Sequence, residues 1–356
     1  MPRCLVTKLQ GIITNDTLPK IGELVINFPK EDTPTKYNRG LVLKASSNIN
    51  VRVSGGSFCS ENLVPNGKTS IVIPAQTQTT LYVENKDCIV FVNANYNLLM
   101  LALGTISQAG TSKSSFDISN LKYNRPDFNI IYCENSKFYG DISAFKGASY
   151  LVHMYMSNCV GIKGDISTFA NTPINSLKFE NTSVSGDVAS LSNCNDLTEV
   201  RFTNDTNIYG DISAFANKQN LEVLFLENTS CYGDVSTLNN CNKLKELRIK
   251  NVLNISGELS QLGSNLIFFT ATGSSKVFTW KNTRPSSSKI FALEDVNLGD
   301  DVDNCLKNLA SCTSGINGDE GAWYKTIRIY GNRTSASDAA VATLQQKGYT
   351  VSVTPT

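Results

Sequence analysis

The chain carries little charge and almost no histidine. Of its 356 residues 18% are charged, the formal net charge is +1 at pH 7, and the lysines and arginines form no basic run. Proteins that bind nucleic acid neutralise phosphates with clustered basic side chains, so we expect no nucleic-acid partner. No segment is apolar for long enough to span a bilayer, and the first residues lack the apolar stretch of a secretory signal. We therefore expect no membrane insertion, and synthesis in a cytoplasm.

Residues suited to catalysis or metal binding are also sparse. A Ser-His-Asp or Cys-His site would have to use His153, the single histidine, and the sequence places no obvious partner beside it. The ten cysteines include no CxxC spacing, so we expect reduced structural thiols and no metal site. A glycosidase needs two opposed carboxylates in different environments, whereas the carboxylates here recur in equivalent positions. We expect no catalytic residues, no cofactor and no enzymatic activity.

Instead, the chain contains a short sequence motif, the Gly-Asp phrase, that recurs at a steady interval. The acidic positions 117, 141, 165, 187, 211, 234 and 258 follow one another at steps of 22 to 24 residues. After a first copy that lacks glycine, Asp117-Ile118-Ser119, each copy has a glycine before the acidic residue. These copies are Gly140-Asp141-Ile142, Gly164-Asp165-Ile166, Gly186-Asp187-Val188, Gly210-Asp211-Ile212, Gly233-Asp234-Val235 and Gly257-Glu258-Leu259. A period in the twenties predicts a solenoid of stacked units.

A second pattern, LxxLxLxN, precedes each acidic position. Its clearest copy runs from Leu221 through Leu224 and Leu226 to Asn228, and the other copies start at Phe128, Leu151, Ile174, Leu197 and Leu244. The apolar positions 1, 4 and 6 predict a short strand that turns these side chains inward. The whole unit, LxxLxLxNTxVxGDIsxL, resembles the leucine-rich repeat in the variant whose strand is followed by LxGxI, although Thr stands where that family usually has its first loop asparagine. The resemblance implies a mainly β solenoid with a parallel sheet over residues 128–273.

Repetition places like residues in columns along such a solenoid. The asparagine column consists of Asn135, Asn158, Asn181, Asn204, Asn228 and Asn251, and the acidic column of Asp141, Asp165, Asp187, Asp211 and Asp234, continued by Glu258. The asparagines can satisfy backbone groups where each strand turns away. The carboxylates could bind calcium between units or cap the turn that follows them. Because each unit supplies only one carboxylate, we expect both columns to be structural.

Position 5 of the pattern lies between two inward positions, so its side chain points outward. In successive units this strand-face row consists of Tyr132, Tyr155, Lys178, Arg201, Phe225 and Arg248. One interpretation is a solvated sheet in which aromatic residues serve as strand formers. The other is a contact surface, because aromatic residues and arginine anchor interfaces. We take the row as the candidate partner-binding face, and we expect Lys218 and Asn239 to lie on exposed loops outside it.

The two ends of the chain lack this period. Residues 1–103 contain short alternating segments separated by turn residues, which predicts an antiparallel β-sandwich for attachment or oligomerisation. Residues 104–127 are expected to form a linker and the N-terminal cap of the repeats. Residues 274–356 are expected to hold irregular repeats and then a helix-strand cap, with a helix from about Asp338 to Lys347 and a last strand from Thr350 to Val353.

The termini carry a further resemblance. The opening segments Cys4-Leu-Val-Thr-Lys-Leu-Gln-Gly11 and Leu18-Pro-Lys-Ile-Gly-Glu23, and the segment Gly331-Asn-Arg-Thr-Ser-Ala-Ser-Asp-Ala-Ala340, resemble virion proteins of crAss-like phages that infect gut Bacteroidetes. The resemblance implies a non-enzymatic head or tail fibre or decoration protein, located in the virion. Its N-terminal domain would bind other virion proteins, and its repeats a glycan or protein on the host surface.

The same resemblance favours a homo-oligomer, because virion fibres built from identical chains are commonly trimers with closed symmetry. The alternative function is that of a cellular leucine-rich-repeat adhesin or scaffold protein. A glycan-active enzyme is the third interpretation.

Overall fold

A computed structural model describes residues 115–118, 130–132, 134–135, 137–149, 151–313 and 322–356, together with the strands between residues 24 and 91. The chain divides into two compact units, Met1–Lys163 and Gly164–Thr356. The predicted domain boundaries near residues 103, 127 and 273 stay predictions. Among the described residues, no helix has both the length and the apolar character needed to cross a membrane.

The first unit begins with short antiparallel strands. They are β1 (Leu24–Phe28), β2 (Arg39–Ala45), β3 (Ile49–Ser54), β4 (Cys59–Leu63), β5 (Lys68–Ile73), β6 (Thr79–Val83) and β7 (Ile89–Phe91). They form two sheets, in the orders β1-β6-β3-β4 and β5-β2-β7. The side chains of these strands lie outside the described residues, so the packing of the two sheets into a sandwich stays a prediction.

The repeats begin in the first unit. Their strands there are β8 (Ser115–Asp117), β9 (Ile130–Tyr132), β10 (Lys137–Asp141), β11 (His153–Tyr155) and β12 (Gly161–Asp165). Strand β9 pairs with β11, and β10 pairs with both β8 and β12, all in parallel. Each turn of the chain therefore contributes one strand to each of two parallel ladders.

The second unit continues both ladders. Its strands are β13 (Ser176–Lys178), β14 (Ser183–Asp187), β15 (Glu199–Arg201), β16 (Ile208–Asp211), β17 (Val223–Phe225), β18 (Ser230–Asp234), β19 (Glu246–Arg248), β20 (Asn254–Glu258), β21 (Phe268–Thr270), β22 (Phe278–Thr279), β23 (Ala292–Gly299), β24 (Thr326–Gly331) and β25 (Thr350–Thr354). The first sheet has the order β13-β15-β17-β19-β21-β23-β24-β25, and the second the order β14-β16-β18-β20-β22. The parallel solenoid is confirmed, but the sequence predicted one sheet where the structure has two.

Asparagine makes the turn from the first sheet towards the second. Every residue of the asparagine column has a positive φ, between 56° and 68°, a conformation that asparagine tolerates better than most residues. In the second unit the amide of Asn204 donates to Asn181 at 2.6 Å, and that of Asn251 donates to Asn228 at 2.7 Å. The backbone N–H of Asn204 also donates to the carbonyl of Glu227 at 2.9 Å. The column thus shapes the turn and bonds each unit to the next.

The acidic column caps a 3-10 turn in every unit. These turns span Ile142–Phe145, Ile166–Phe169, Val188–Leu191, Ile212–Phe215, Val235–Leu238 and Leu259–Gln261. The side chain of Asp211, for example, accepts from the backbone N–H of Ser213 at 2.8 Å. Among the described residues, no group of three or more histidine, cysteine, aspartate or glutamate side chains is arranged to hold a metal ion.

The glycine before each carboxylate makes room for the carboxylate of the preceding unit. Gly233 has a φ of +126°, and a Cβ added there would lie 2.6 Å from Oδ1 of Asp211. The same relation holds between Gly186 and Asp165, at 2.7 Å. Real Cβ atoms do not approach an oxygen this closely, so the Gly-Asp phrase is an interlock between neighbouring units rather than a feature of one unit.

Apolar side chains fill the space between the two sheets. Positions 1, 4 and 6 of the pattern are fully buried, as in Leu221, Leu224 and Leu226. Phe179 stacks on Phe202 with ring centroids 6.4 Å apart. The six cysteines whose side chains the structure describes are buried thiols. Where they recur in the Asn-Cys-Asn phrase they donate to backbone carbonyls: Cys194 to Phe169 and Cys241 to Phe215, each at 3.2 Å.

Among its described residues, the C-terminal part of the second unit has two helices, one between β23 and β24 and one between β24 and β25. These are α1 (Val302–Ser311) and α2 (Asp338–Gln346). Arg284 lies buried below them and donates from its guanidinium to the carbonyls of Leu262 and Gly263, at 2.6 and 2.9 Å. It thus satisfies two buried carbonyls that follow the last Gly-Glu-Leu copy of the repeat.

We predict that the interlock makes Gly233 far less tolerant of a side chain than another glycine with positive φ. Gly233→Ala should lower the free energy of unfolding by roughly 2–4 kcal/mol, from backbone strain and from the clash with Asp211. Gly348→Ala is the control, because its φ is +85° and the nearest atom to its added Cβ is 3.9 Å away; it should cost only about 1 kcal/mol. Urea unfolding of both variants measures the difference.

The same interlock is tested by a double variant. Asp211→Ala alone should cost about 0.5–2 kcal/mol, as the loss of a cap does, and in that background Gly233→Ala should cost less than in the wild type. Strictly additive effects would contradict the interlock.

Because we interpret the acidic column as caps, EDTA should leave the melting temperature unchanged. A rise in melting temperature on adding calcium would show that this interpretation is wrong.

A buried carboxyl predicts a pH-dependent stability. Asp205 is 2% exposed, and its Oδ1 accepts from the backbone N–H and the hydroxyl of Thr182, both at 2.9 Å, while its Oδ2 has no partner. Burial, opposed by the Thr182 bonds and aided by nearby Glu180, raises the pKa of Asp205 to about 8. The folded protein therefore holds a proton that the unfolded chain releases near pH 4, so stability should fall between about pH 4 and pH 8.

Asp205→Asn should remove that dependence, because asparagine keeps the acceptor for Thr182 without an ionisable group. The wild type should lose up to about 1.4 kcal/mol per pH unit in this window, and the variant should be the more stable protein at pH 8. Urea unfolding from pH 5 to pH 9 provides the measurement. Asp196→Asn, at an exposed aspartate, should follow the wild-type profile. A wild-type stability that rises across this window would contradict the prediction.

Candidate binding face on the first sheet

The structure places the strand-face row on the outer side of the first sheet. In the second unit Lys178 pairs in register with Arg201, Arg201 with Phe225, and Phe225 with Arg248. The neighbouring position 4 is fully buried throughout, as at Val200, so alternation along the strand turns position 5 outward. Tyr155 lies on β11 in the first unit; the side chain of Tyr132 lies outside the described residues.

Phe225 is not the exposed anchor that the sequence predicts. Its side chain is 4% exposed because the guanidinium of Arg201 lies 4.4 Å from the ring centroid on one side and that of Arg248 lies 4.3 Å away on the other. Such cation–π contacts stabilise the arginines in fixed positions over the ring. The row is therefore a packed ladder of side chains rather than a line of separate contacts.

Glutamates at position 3 neutralise much of the positive charge that the row was expected to present. Glu199 forms ion pairs with Lys178 at 3.0 Å and with Arg201 at 2.6 Å, and Glu246 pairs with Arg248 at 2.8 Å. Burial raises the pKa of Glu199, but the hydrogen bond from Lys178 and the charge of Arg201 outweigh it and lower the pKa overall. The pattern at position 5 does not indicate these glutamates, because they occupy position 3 of the same strands.

Two other expectations about exposed positions are wrong. His153 has a partner after all, because its Nδ1 lies 3.2 Å from the hydroxyl of Tyr155 within the same strand. Lys218 is not on an exposed loop: it is 2% exposed and donates from Nζ to the carbonyl of Ser192 at 2.8 Å. Burial lowers the pKa of Lys218, partly offset by Cys194 and Cys241. Asn239 is exposed as expected.

A pocket of about 320 Å³ opens on the first sheet near its C-terminal strands. Its walls combine residues of the row with residues that the sequence did not single out. They are Glu227, Arg248, Phe268, Thr270, Glu294 and Tyr324. Most of them come from β19, β21 and β23 or the residues just after a strand, whereas Tyr324 comes from the short 3-10 turn Ala322–Lys325 that precedes β24.

Tyr324 closes one side of the pocket. Its ring meets Phe268 edge-on, with centroids 5.7 Å apart and an angle of 74° between the planes. Its hydroxyl donates to Glu246 at 3.0 Å, the same glutamate that holds Arg248. The guanidinium of Arg248 lies 5.1 Å from the centroid of Phe268. This wall is therefore fixed by mutual contacts before any ligand enters.

A β-bulge shapes the opposite side. The register between β23 and β24 shifts between Glu294 and Val296, and Asp295 has a φ of 56°. A regular strand would turn Glu294 and Asp295 to opposite faces, but here both reach Arg328, with Glu294 at 2.8 Å. No sequence pattern indicated this bulge, because neither residue is a glycine.

The charges around the pocket are unbalanced in favour of carboxylates. Glu246, Glu294 and Asp295 are ion-paired with Arg248 and Arg328. Among the described residues, no lysine or arginine pairs with Glu227, which accepts a hydrogen bond from Thr203 at 3.2 Å. A carboxylate without an ion-pair partner in the wall of a pocket suits a group that carries positive charge.

No protein-family model matches the chain, and no curated protein is significantly similar to it. Solved structures to which the chain is similar include the Arabidopsis receptor kinase HAESA in complex with the peptide hormone IDA and the co-receptor SERK1. The two chains are 20% identical, and the match covers 51% of this chain and 35% of the HAESA chain, with a TM-score of 0.40.

Two further structures are plant receptors. The plant peptide hormone receptor RGFR1 in complex with RGF2 is 17% identical and covers 62% of this chain and 47% of its own, with a TM-score of 0.34. The third structure is the leucine-rich-repeat ectodomain of GASSHO1/SCHENGEN3 from Arabidopsis thaliana in complex with CASPARIAN STRIP INTEGRITY FACTOR 2. It is 14% identical, and the match covers 63% of this chain and 35% of the ectodomain chain, with a TM-score of 0.28. The chain spans less than half the length of each. The assignment of a leucine-rich-repeat solenoid rests on the repeats and the two parallel ladders of the chain itself.

Proposed function

We propose that the protein is a non-enzymatic binding or scaffold protein whose first sheet carries a partner site. The observation that supports this most directly is the pocket beside Tyr324, in which Arg248 of the strand-face row, Phe268 and Glu227 face one cavity. Its side chains are held by one another, so little conformational entropy is lost on binding. The packed row of Arg201, Phe225 and Arg248 extends the surface along the sheet.

The pocket is best suited to an arginine or lysine side chain of a protein partner. The entering cation would pair with Glu227, and the alkyl stem of its side chain would lie against the edges of Phe268 and Tyr324. A sugar ring is less well matched, because stacking requires an open aromatic face, and Phe225 and Phe268 are only 4% and 5% exposed. An acidic group would meet Glu227 and Glu294 and be repelled.

We predict that the pocket distinguishes small basic probes from acidic ones. N-acetyl-arginine N-methylamide should shift the NMR signals of residues around Thr270 with roughly millimolar affinity, whereas N-acetyl-glutamate N-methylamide should not. Glu227→Gln should weaken the binding of the arginine probe several-fold, because the carboxylate that pairs with it is lost. Glu222→Gln, at an exposed glutamate that pairs with Lys245, is the matched control and should change nothing. Shifts by the acidic probe, or none by either, would rule out this pocket as a cation site.

The biological setting is a separate proposal. A head or tail fibre or decoration protein of a crAss-like phage is supported by the resemblance of the terminal segments, and a cellular adhesin or scaffold by the repeat architecture. In a virion, residues 1–103 would attach the chain to other virion proteins, in a trimer, and the first sheet would face the host surface.

Mass spectrometry of purified phage particles separates the two settings. We predict a stoichiometric amount of the chain in the particles, together with particle-bound peptides from residues 1–103 after limited proteolysis. A chain that is absent from particles and recovered with the cell fraction would favour the adhesin or scaffold instead.

A further inference from the structure

The exposed large apolar side chains lie on or next to strands of the second sheet. Among the described residues, the large hydrophobic side chains that are exposed all lie on strands of the second sheet or in the turn that leads into such a strand. They are Tyr139 (48%), Val160 (76%), Tyr209 (49%), Tyr232 (47%), Leu253 (57%) and Val277 (50%). Grouped exposure of this kind marks interaction surfaces, whereas single exposed residues do not.

Four of these residues belong to neighbouring turns of the second unit. Strand register pairs Tyr209 with Asp187, and Tyr232 with Asp211 and Asn254, on successive strands. Neighbouring strands lie about 4.8 Å apart, so each tyrosine stands beside the carboxylate of the preceding unit. We call the surface formed by Tyr209, Tyr232, Leu253 and Val277 with these carboxylates the tyrosine face.

The composition of the tyrosine face is that of a protein-binding surface. Its other exposed positions are Ser183, Asn207, Ser230 and Asn254. Tyrosine, serine, asparagine and glycine are the residues that antibody paratopes use, because tyrosine supplies rigid contact area and the small polar residues adapt their hydrogen bonds. The aliphatic side chains of Leu253 and Val277 fit a protein partner and offer nothing to a glycan.

The charge of the face selects the partner. Strands β14, β16, β18 and β20 contain no lysine or arginine, and each ends in a carboxylate. One oxygen of each aspartate is occupied by the cap, as in Asp187 with Ala189 at 2.8 Å, which fixes the position of the other. Both oxygens of Glu258 already accept hydrogen bonds. Lys276, in the turn before β22, is the nearest basic residue along the chain. The face therefore presents aligned negative charge between aromatic rings.

We propose that the tyrosine face is a second docking surface, distinct from the pocket on the first sheet, and that it binds a basic surface of a protein partner. Arginine or lysine side chains of that partner lie over Tyr209 and Tyr232 and pair with Asp187 and Asp211. Apolar side chains of the partner cover Leu253 and Val277. Two surfaces on different sheets would allow the repeats to join two partners.

The test uses substitutions that the repeat itself supplies. Ser185 and Ser256 occupy the position before glycine that Tyr209 and Tyr232 occupy in their units, so Tyr209→Ser with Tyr232→Ser should leave the melting temperature unchanged. A library of random 12-residue peptides displayed on phage is selected on the full chain. Peptides that bind the wild type but lose about tenfold or more in affinity for the double variant should carry arginine or lysine, and their binding should weaken as salt rises.

Tyr330→Ser on the first sheet is the matched control and should leave the affinity of those peptides unchanged. The proposal is overturned if no selected peptide depends on Tyr209 and Tyr232, or if the dependent peptides are acidic or uncharged. A glycan array probed with the same proteins tests whether the tyrosine face binds a sugar instead. Glycan binding that is lost in the double variant would contradict a protein partner.

Discussion

The fold depends on the contact between the Gly-Asp phrases of neighbouring units. A carboxylate caps its own 3-10 turn and occupies the space that a side chain would need at the glycine of the next unit, as Asp211 does at Gly233. The asparagine column adds a second set of bonds at the opposite end of the strands. Both contacts are made only when the units stack in register, so they couple local conformation to stacking. Stability in such a solenoid then comes from interfaces between neighbours as much as from single units.

On the outer side of the first sheet, the regular repeats and the candidate binding pocket differ in how their side chains are paired. Position 5 gathers arginines and an aromatic ring, and position 3 supplies glutamates that hold them, so most of the row is satisfied within the sheet. Where the repeats end, the surface forms a pocket with more carboxylates than basic side chains around it. There the bulge at Asp295 and the turn that carries Tyr324 create a pocket that no regular unit could form.

Irregular features are therefore where binding chemistry is concentrated. Arg284 bonds two carbonyls after the last regular unit, and Asp205 stands where other units have serine, cysteine, threonine or valine, at the cost of a buried carboxyl. The tyrosines of the second sheet are likewise departures from a position that serine can fill. Since a side chain at an outward position contributes little to the core, these substitutions are tolerated by the fold and remain open to selection for binding.

The sequence by itself determined the parallel solenoid, its period, the inward positions and the two structural columns, because these follow from spacing along the chain. It also indicated the C-terminal helix and strand, which the structure has at Asp338–Gln346 and Thr350–Thr354. Tertiary structure alone decided the second sheet, the burial of Phe225 and Lys218, and the pocket beside Tyr324. Each of these depends on contacts between residues far apart in sequence, such as Tyr324 with Glu246. A local sequence pattern does not show which distant residue will make such a contact.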